Sequence, residues 1–297
     1  MYIGINLVVA GSLGEAIRQY KVVILVIALS LSGCSSFKLI YNFVDDFIKR
    51  EAVFFLKLDE QGEAFLQDQV DKLMAWHNTV MLPRYATYLR RQADQLDKGV
   101  IDAVAIAKSK AEGRVLLEAT VAGASGYAAG LLTRHTTSKN IDHIRRKMLV
   151  RRKVQQEKLL RPRENRTVER GESLINNFER FMGNLNDAQE DLIRRHAEAT
   201  VDDTGKRLGN YSQRQSAFLT FLAGKPTEQE IASFIERILL RSHEIVDPNY
   251  QYFSKSRMDR FARLLVDILA ASTPRQRKMT AAKLRGYAQD CTDLSRL

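Results

Sequence analysis

Apolar residues recur at steps of three and four along most of the chain, and strand-like alternation is scarce. Phe37, Ile40, Tyr41, Val44, Phe47 and Ile48 form a first helical stripe, able to lie on a membrane or against the body. A second helix opens near Asp59 and carries Leu66, Val70, Leu73, His77 and Val80. Pro83 interrupts it, and Tyr85, Tyr88, Leu89 and Leu96 continue at a changed angle. Val100 to Val121 predicts another helix, followed by Ala122-Gly123-Ala124-Ser125-Gly126, a turn or a close helix crossing. After Thr137 a long basic helix runs through Ile141, Ile144, Met148 and Gln155 and ends near Arg161-Pro162-Arg163. Val168, Ile175, Phe178 and Met182 mark the next, closed at Gly183; one from Asn186 breaks around Gly205 to Gly209. Gly224-Lys225-Pro226 is a stop, and further helices are expected from Thr227, from about Tyr250 and from Thr273-Pro274 to the end. The expectation is an all-α multi-helix bundle of roughly nine to eleven helices. Residues 161–165 are the candidate boundary between two helical lobes.

The helix starts share a local pattern. Thr273-Pro274-Arg275-Gln276 and Thr227-Glu228-Gln229-Glu230 fit the capping box, in which a hydroxyl accepts from the N3 amide and Gln or Glu reaches back. Asn186-Asp187-Ala188-Gln189 and Leu58-Asp59-Glu60-Gln61 are looser versions, and Pro274 at the first helical position sacrifices no hydrogen bond. One reading is that these are simply helix starts. The other is a degenerate Leu-Thr-x-x-Gln repeat, similar to that of periplasmic stress chaperones that cradle unfolded clients, although no copy is complete.

Ahead of this body lies an address. Arg18 and Lys21 precede the apolar run Val22 to Leu31, whose ten residues are too few for the roughly 20 that span a bilayer. Leu31-Ser32-Gly33-Cys34 then resembles the lipobox of a bacterial lipoprotein, with Leu31, Ser32 and Gly33 as peptidase recognition and Cys34 as the lipidated residue. The resemblance implies a cleaved signal peptide, residues 1–33, and a periplasmic body, residues 34–297, carrying diacylglycerol and an N-acyl chain on Cys34. Several acyl chains anchor firmly, so no apolar spanning helix is needed in the body, and none of suitable length is expected. Ser35, where Asp favours inner-membrane retention, implies the periplasmic face of the outer membrane. Met1 to Ile17 makes the signal unusually long, which leaves either a start placed too far upstream or a long n-region.

Charge changes the picture at one place. The net charge is +11, or +10 without residues 1–33, which hold Arg18, Lys21 and Glu15. Residues 145–170 carry eleven Lys and Arg against Glu157, Glu164 and Glu169, a net +8. Arg145, Arg146, Lys147, Arg151, Arg152 and Lys153 are the candidates for an anionic surface: lipid or glycan outside the cytoplasm, and not nucleic acid. The bland reading is a solvated helix face. Only Cys34 and Cys291 occur, so a lipidated Cys34 leaves Cys291 without a disulfide partner, a packing residue more than a nucleophile.

Catalytic signatures are sparse. The five histidines, His77, His135, His143, His196 and His243, show no zinc spacing, and no phosphate loop or nucleophile elbow is present. No catalytic, metal or cofactor residue is therefore expected. His77 beside Trp76 reads as a hydrogen-bonded core histidine. Glu172-Ser173 echoes the Glu-Ser pair of peptidoglycan-cleaving transglycosylases, but their Gly-Leu-Met-Gln-type segment is missing.

Taken in order, Leu-Ser-Gly-Cys-Ser, Leu39-Ile40-Tyr41-Asn42, Trp76-His77, Leu82-Pro83-Arg84-Tyr85, Phe181 to Gln189 and Ser272 to Gln276 resemble a family of proteobacterial lipoproteins known as a domain of unknown function. The resemblance implies an envelope location and an all-helical body but no reaction; residues 120–140 fit it poorly. The function expected first is a non-enzymatic envelope accessory protein that engages client polypeptide or a partner protein through grooves between helices. An anionic-surface binder comes second and an envelope hydrolase third.

Overall fold

The computed structural model describes residues 36–296, and every described element is helical. Leu31, Ser32, Gly33 and Cys34 lie outside the described residues. The chain divides into two units, residues 1–43 and 44–297. In the first, α1 (Ser36–Tyr41) sets the rings of Phe37 and Tyr41 5.9 Å apart. The stripe that predicts one helix from Phe37 to Ile48 is thus broken by a turn at Asn42 and Phe43.

The second unit comprises α2 (Val44–Phe55), α3 (Glu60–Trp76), α4 (Leu82–Asp97), α5 (Ala103–Thr133), α6 (Ser138–Leu159), α7 (Arg163–Met182), α8 (Asp187–Thr200), α9 (Asp203–Ala223), α10 (Glu228–Leu240), α11 (Tyr250–Ala270) and α12 (Pro274–Leu294). Pro83 does not end a helix. A π-turn, His77–Met81, joins α3 to α4, and the Leu82 amide donates to the His77 carbonyl five residues back. That wider turn comes directly before the proline, where the α-helical ladder would lose a donor and meet the ring.

Two cores form, and they interleave along the sequence. The first gathers Leu56, Leu66, Val70, Leu131, Ile141, Ile144, Leu219, Leu222 and Ile231. The second gathers Ala93, Leu96, Met182, Ile193, Leu264, Ile268, Leu269 and Ala281. The break at Pro162 separates α6 from α7, yet α9 and α10, which follow it, return to the first core. At 161–165 the helix breaks, and both cores draw on helices from either side of the break. The continuous α3–α4 segment gives Leu66 and Val70 to one core and Ala93 and Leu96 to the other, and α5 does the same with Leu131 and Ile106.

The run Ala122 to Gly126 continues α5 and is a close crossing, not a turn. A Cβ at Gly123 would stand 1.9 Å from Cζ2 of Trp76, so only hydrogen fits beneath the indole. α5 also overturns one expectation. It is long and apolar enough, by length and composition, to cross a membrane, with a mean hydropathy of 1.4 over its most apolar window. Its contacts run along α3, α4, α10 and α11.

The caps explain where helices begin. Asp59 accepts from the Gly62 amide at 2.8 Å, and Thr227, Asn186 and Thr273 each form a complete capping box. Two of these boxes interlock. Gln276 Nε2 donates to Gln189 Oε1 and to the Asn184 carbonyl, both at 2.9 Å, while Gln189 Nε2 donates to the Ile268 carbonyl at 3.2 Å. Each glutamine oxygen still accepts from its own N-cap amide, Asn186 or Thr273. Gln189 is wholly buried, and every polar atom of its amide is satisfied, as burial requires.

Candidate functional site

Each core opens on an apolar groove. The groove of the second core has a volume of about 520 Å³ and lies among α4, α5, α7, α11 and α12. Its walls are apolar and aromatic, with Ile101, Ile106, Phe178, Phe181, Phe261 and Leu265 prominent. Val100 and Phe261 stand at the rim, 43% and 41% exposed. Its polar lining is neutral: the amides of Gln92, Gln95 and Asn177 and the hydroxyls of Tyr88, Ser109 and Thr280. Tyr88 shares a hydrogen bond with Ser109 Oγ at 2.9 Å, and Gln92 donates to Glu112, which leaves the Gln95 and Asn177 amides for a ligand. No lining residue carries a charge at neutral pH. A volume of this size with few neutral polar groups suits a bound apolar segment.

The groove of the first core, about 470 Å³, is bordered by Glu51, Phe55, Leu73, Tyr127, Met148 and Tyr211. Glu51 is held at 2.8 Å by Arg151, whose guanidinium lies 4.5 Å from the centre of the Phe54 ring. The basic helix α6 thus forms one wall of this groove.

The sequence candidates on α6 do not all remain free. Arg145 pairs with Asp142, Arg151 with Glu51, and Arg152 donates to Ser212 Oγ. Lys147 sits 4.7 Å over Phe54. Further along, Arg161 pairs with Glu169, Arg163 with Glu198 and Asp202, and Arg166 with Asp202. Among the described residues Arg146 and Lys153 make no ion pair, and they share an exposed face with Leu149, Val150 and Val154. Four acids outside the stretch, Glu51, Asp142, Glu198 and Asp202, thus answer half of its net +8, and Arg146 and Lys153 keep a small cationic and apolar face.

The histidines are packed singly. His77 lies between Trp76 and Tyr85, with ring centroids 6.2 and 5.6 Å away, and burial lowers its pKa. His135 is buried with Asn140 Nδ2 3.2 Å from its Nδ1, and burial lowers it too. Cys291 is buried, and burial first, then Asp290, pushes its thiol up to about 11, as a packing residue and not a nucleophile. Glu172 is exposed on α7. Among the described residues no cluster of His, Cys, Asp or Glu has the makings of a metal site.

A model of a family of unknown function, DUF6279, matches residues 54–251. The chain belongs to that family. The DUF6279 segment begins at the end of α2 and closes just inside α11, so it holds most of the first core, the basic helix and the α3–α4 bend. Residues Leu264 to Ala281 of the second core lie beyond it. No curated protein and no solved structure matches the chain. Neither groove is legible in the sequence, because each draws its walls from helices far apart along the chain.

Proposed function

We propose that this protein is a non-enzymatic accessory protein of the cell envelope that binds extended polypeptide in the groove of its second core. The observation that carries the reading is the lining: apolar and aromatic walls, neutral amides and no charged group. A fatty acid or phospholipid would bring an anionic head that this groove has nothing to answer, and burying it unpaired is costly. A peptide brings apolar side chains and neutral backbone groups, which the amides of Gln95 and Asn177 can pair. The Leu-Thr-x-x-Gln resemblance at the helix starts is compatible with such a client binder.

The test is binding of a reduced, unfolded client to the full chain and to Val100→Glu and Phe261→Glu variants. Both positions stand at the rim and are partly exposed, and circular dichroism of each variant checks that the helices are kept. Client affinity should fall about tenfold or more, since a charge now rims an apolar, neutral groove. Unaltered affinity with intact helicity defeats the proposal. Charge reversal at Arg151 and Arg152 should leave client binding in place.

The location proposed with this reading is the periplasmic face of the outer membrane, with the chain held by lipid on Cys34. The support is the charged, apolar and small-residue order that ends at Leu31-Ser32-Gly33-Cys34. Palmitate should label the wild type and not Cys34→Ser; label on the serine variant removes the anchor. A second reading rests on α6. Arg146 and Lys153 beside exposed Leu149, Val150 and Val154 suit contact with an anionic bilayer. Binding of Cys34→Ser protein to anionic vesicles that does not weaken with salt would sink it.

A further inference from the structure

Beside Phe261 on the rim of the second groove, α7, α8, α9 and α11 bring arginines together near the carboxylate of Asp203. Arg260 on α11 contacts Asp203, the first residue of α9, at 2.5 Å, and its other terminal nitrogen donates to Ser256 Oγ at 3.1 Å. Arg170 on α7 donates through Nε to Thr200 Oγ1 at 2.8 Å, at the end of α8. Arg207, one turn along α9 from Asp203, and Arg257, one turn before Arg260 on α11, lie within electrostatic reach of Arg170. Among the described residues neither Arg207 nor Arg257 has an ion pair.

The neighbouring acids are engaged elsewhere. Asp202 holds Arg163 and Arg166, and Asp259 holds Lys110 and Lys255. Asp203 pairs with Arg260 and acts on Arg170, in a place where its own side chain is only 14% exposed and that of Arg260 28%, and among the described residues no acid pairs with Arg207 or Arg257. Like charges in such partial burial repel more strongly than they would in water. Two buried atoms also stand without partners: Nε of Arg260, and Oγ1 of Thr167, one turn before Arg170 on α7. A buried guanidinium N–H without an acceptor in the fold is open to a bound anion or water.

We propose that Arg170, Arg207, Arg257 and Arg260 form a binding site for a phosphate-type oxyanion. The planar forks of several guanidiniums match the oxygens of phosphate, and a dianion offsets most of the cationic excess that Asp203 leaves. The ligand is a phosphomonoester group, whether free or borne by a lipid headgroup. The site is distinct from the polypeptide groove and from the exposed face of α6, and stands whether or not either binds. His196 sits beside it with its ring centroid 6.2 Å from that of Phe261. Its pKa is lowered, by burial first and then by Arg170 and Arg260, so it is a neutral neighbour that senses added negative charge.

Calorimetric titration of full-length Cys34→Ser protein with inorganic phosphate, at fixed ionic strength against chloride, tests the site. Arg207→Gln with Arg257→Gln removes two arginines that carry no ion pair; Lys108→Gln with Lys278→Gln removes the same charge from exposed positions on α5 and α12. The expected result is saturable binding, weakened about tenfold or more by the first pair and unchanged by the second. Proton NMR should show the His196 titration moving to higher pH when phosphate is bound. Phosphatidylcholine vesicles with phosphatidic acid form the second arm. Retention that free phosphate competes away assigns the ligand to a headgroup; binding of free phosphate alone assigns it to the soluble ion. Absence of binding in both arms, or equal weakening by the two variant pairs, overturns the proposal.

Discussion

The crossing of α5 over Trp76 can be tested with two alanines, each placed on a glycine of the same helix, three residues apart. At Gly123 an added Cβ falls 1.9, 2.4 and 2.6 Å from three atoms of the indole. Carbon atoms settle at about 3.5–4.0 Å, so the ring or the helix must retreat by roughly 2 Å. Forcing a carbon into a packed contact costs about 1–3 kcal/mol. Alanine returns about 0.5–1 kcal/mol over glycine within a helix, leaving a net loss of about 1–2 kcal/mol. At Gly126 nothing lies within 4 Å of the added carbon, so only the gain remains. Gly123→Ala should therefore lower the urea midpoint and Gly126→Ala raise it, at unchanged m-value. In thermal melts about 1 kcal/mol corresponds to roughly 2–4 °C for a chain of this size. Trp76 is the only tryptophan, so its emission reports the crossing directly. Its maximum should shift in Gly123→Ala and not in Gly126→Ala, and Trp76→Leu should relieve the loss. Equal stabilisation by the two alanines would refute the crossing.

Other expectations follow from buried polar groups. Gln189→Ala and Gln276→Ala should each cost about 1–3 kcal/mol, because each strands buried partners. The double variant should cost less than the sum, since the two amides share one network; strict additivity in denaturant melts would contradict the interlock. Cys291 should resist alkylation in the native protein and react on unfolding, since burial holds its thiol protonated at neutral pH. His77, His135 and His196 have folded-state pKa values below the unfolded value of about 6.5. Their contribution is intact above that value and is lost as pH falls through it, because the unfolded chain then binds more protons. The melting temperature should decline from pH 7.5 to 5.5 at constant ionic strength, and His135→Gln should flatten that decline.

What could be read from the sequence was local. Thr227, Asn186 and Thr273 announce helix starts because a capping box spans only four residues. The stripes through Leu66 and Val70 and through Ile141 and Ile144 announce buried faces because the period of a helix is short. Features made by two distant segments stayed hidden. Gln189 and Gln276 look alike as caps, but nothing local says that they meet. Gly123 reads as a possible turn until Trp76 is seen lying across it. The basic run at 145–170 misleads for the same reason: Glu51, Glu198, Asp202 and Ser212, which answer it, lie outside it. Conversely, the arginine cluster near Asp203 escapes a count of charge along the chain, because its four members are spread over three helices, one each on α7 and α9 and two on α11.

The interleaving of the two cores bears on the order in which the chain can fold. The first core needs residues from Leu56 to Ile231, and the second needs Ala93 and then Ala281. α4 is therefore made early and waits for α12, its most extensive neighbour, until nearly the whole chain has been synthesised. Contacts of such long sequence separation slow the closing of a fold. In the interval the apolar side of α4 stays uncovered, a liability that any factor escorting the nascent chain would have to shield.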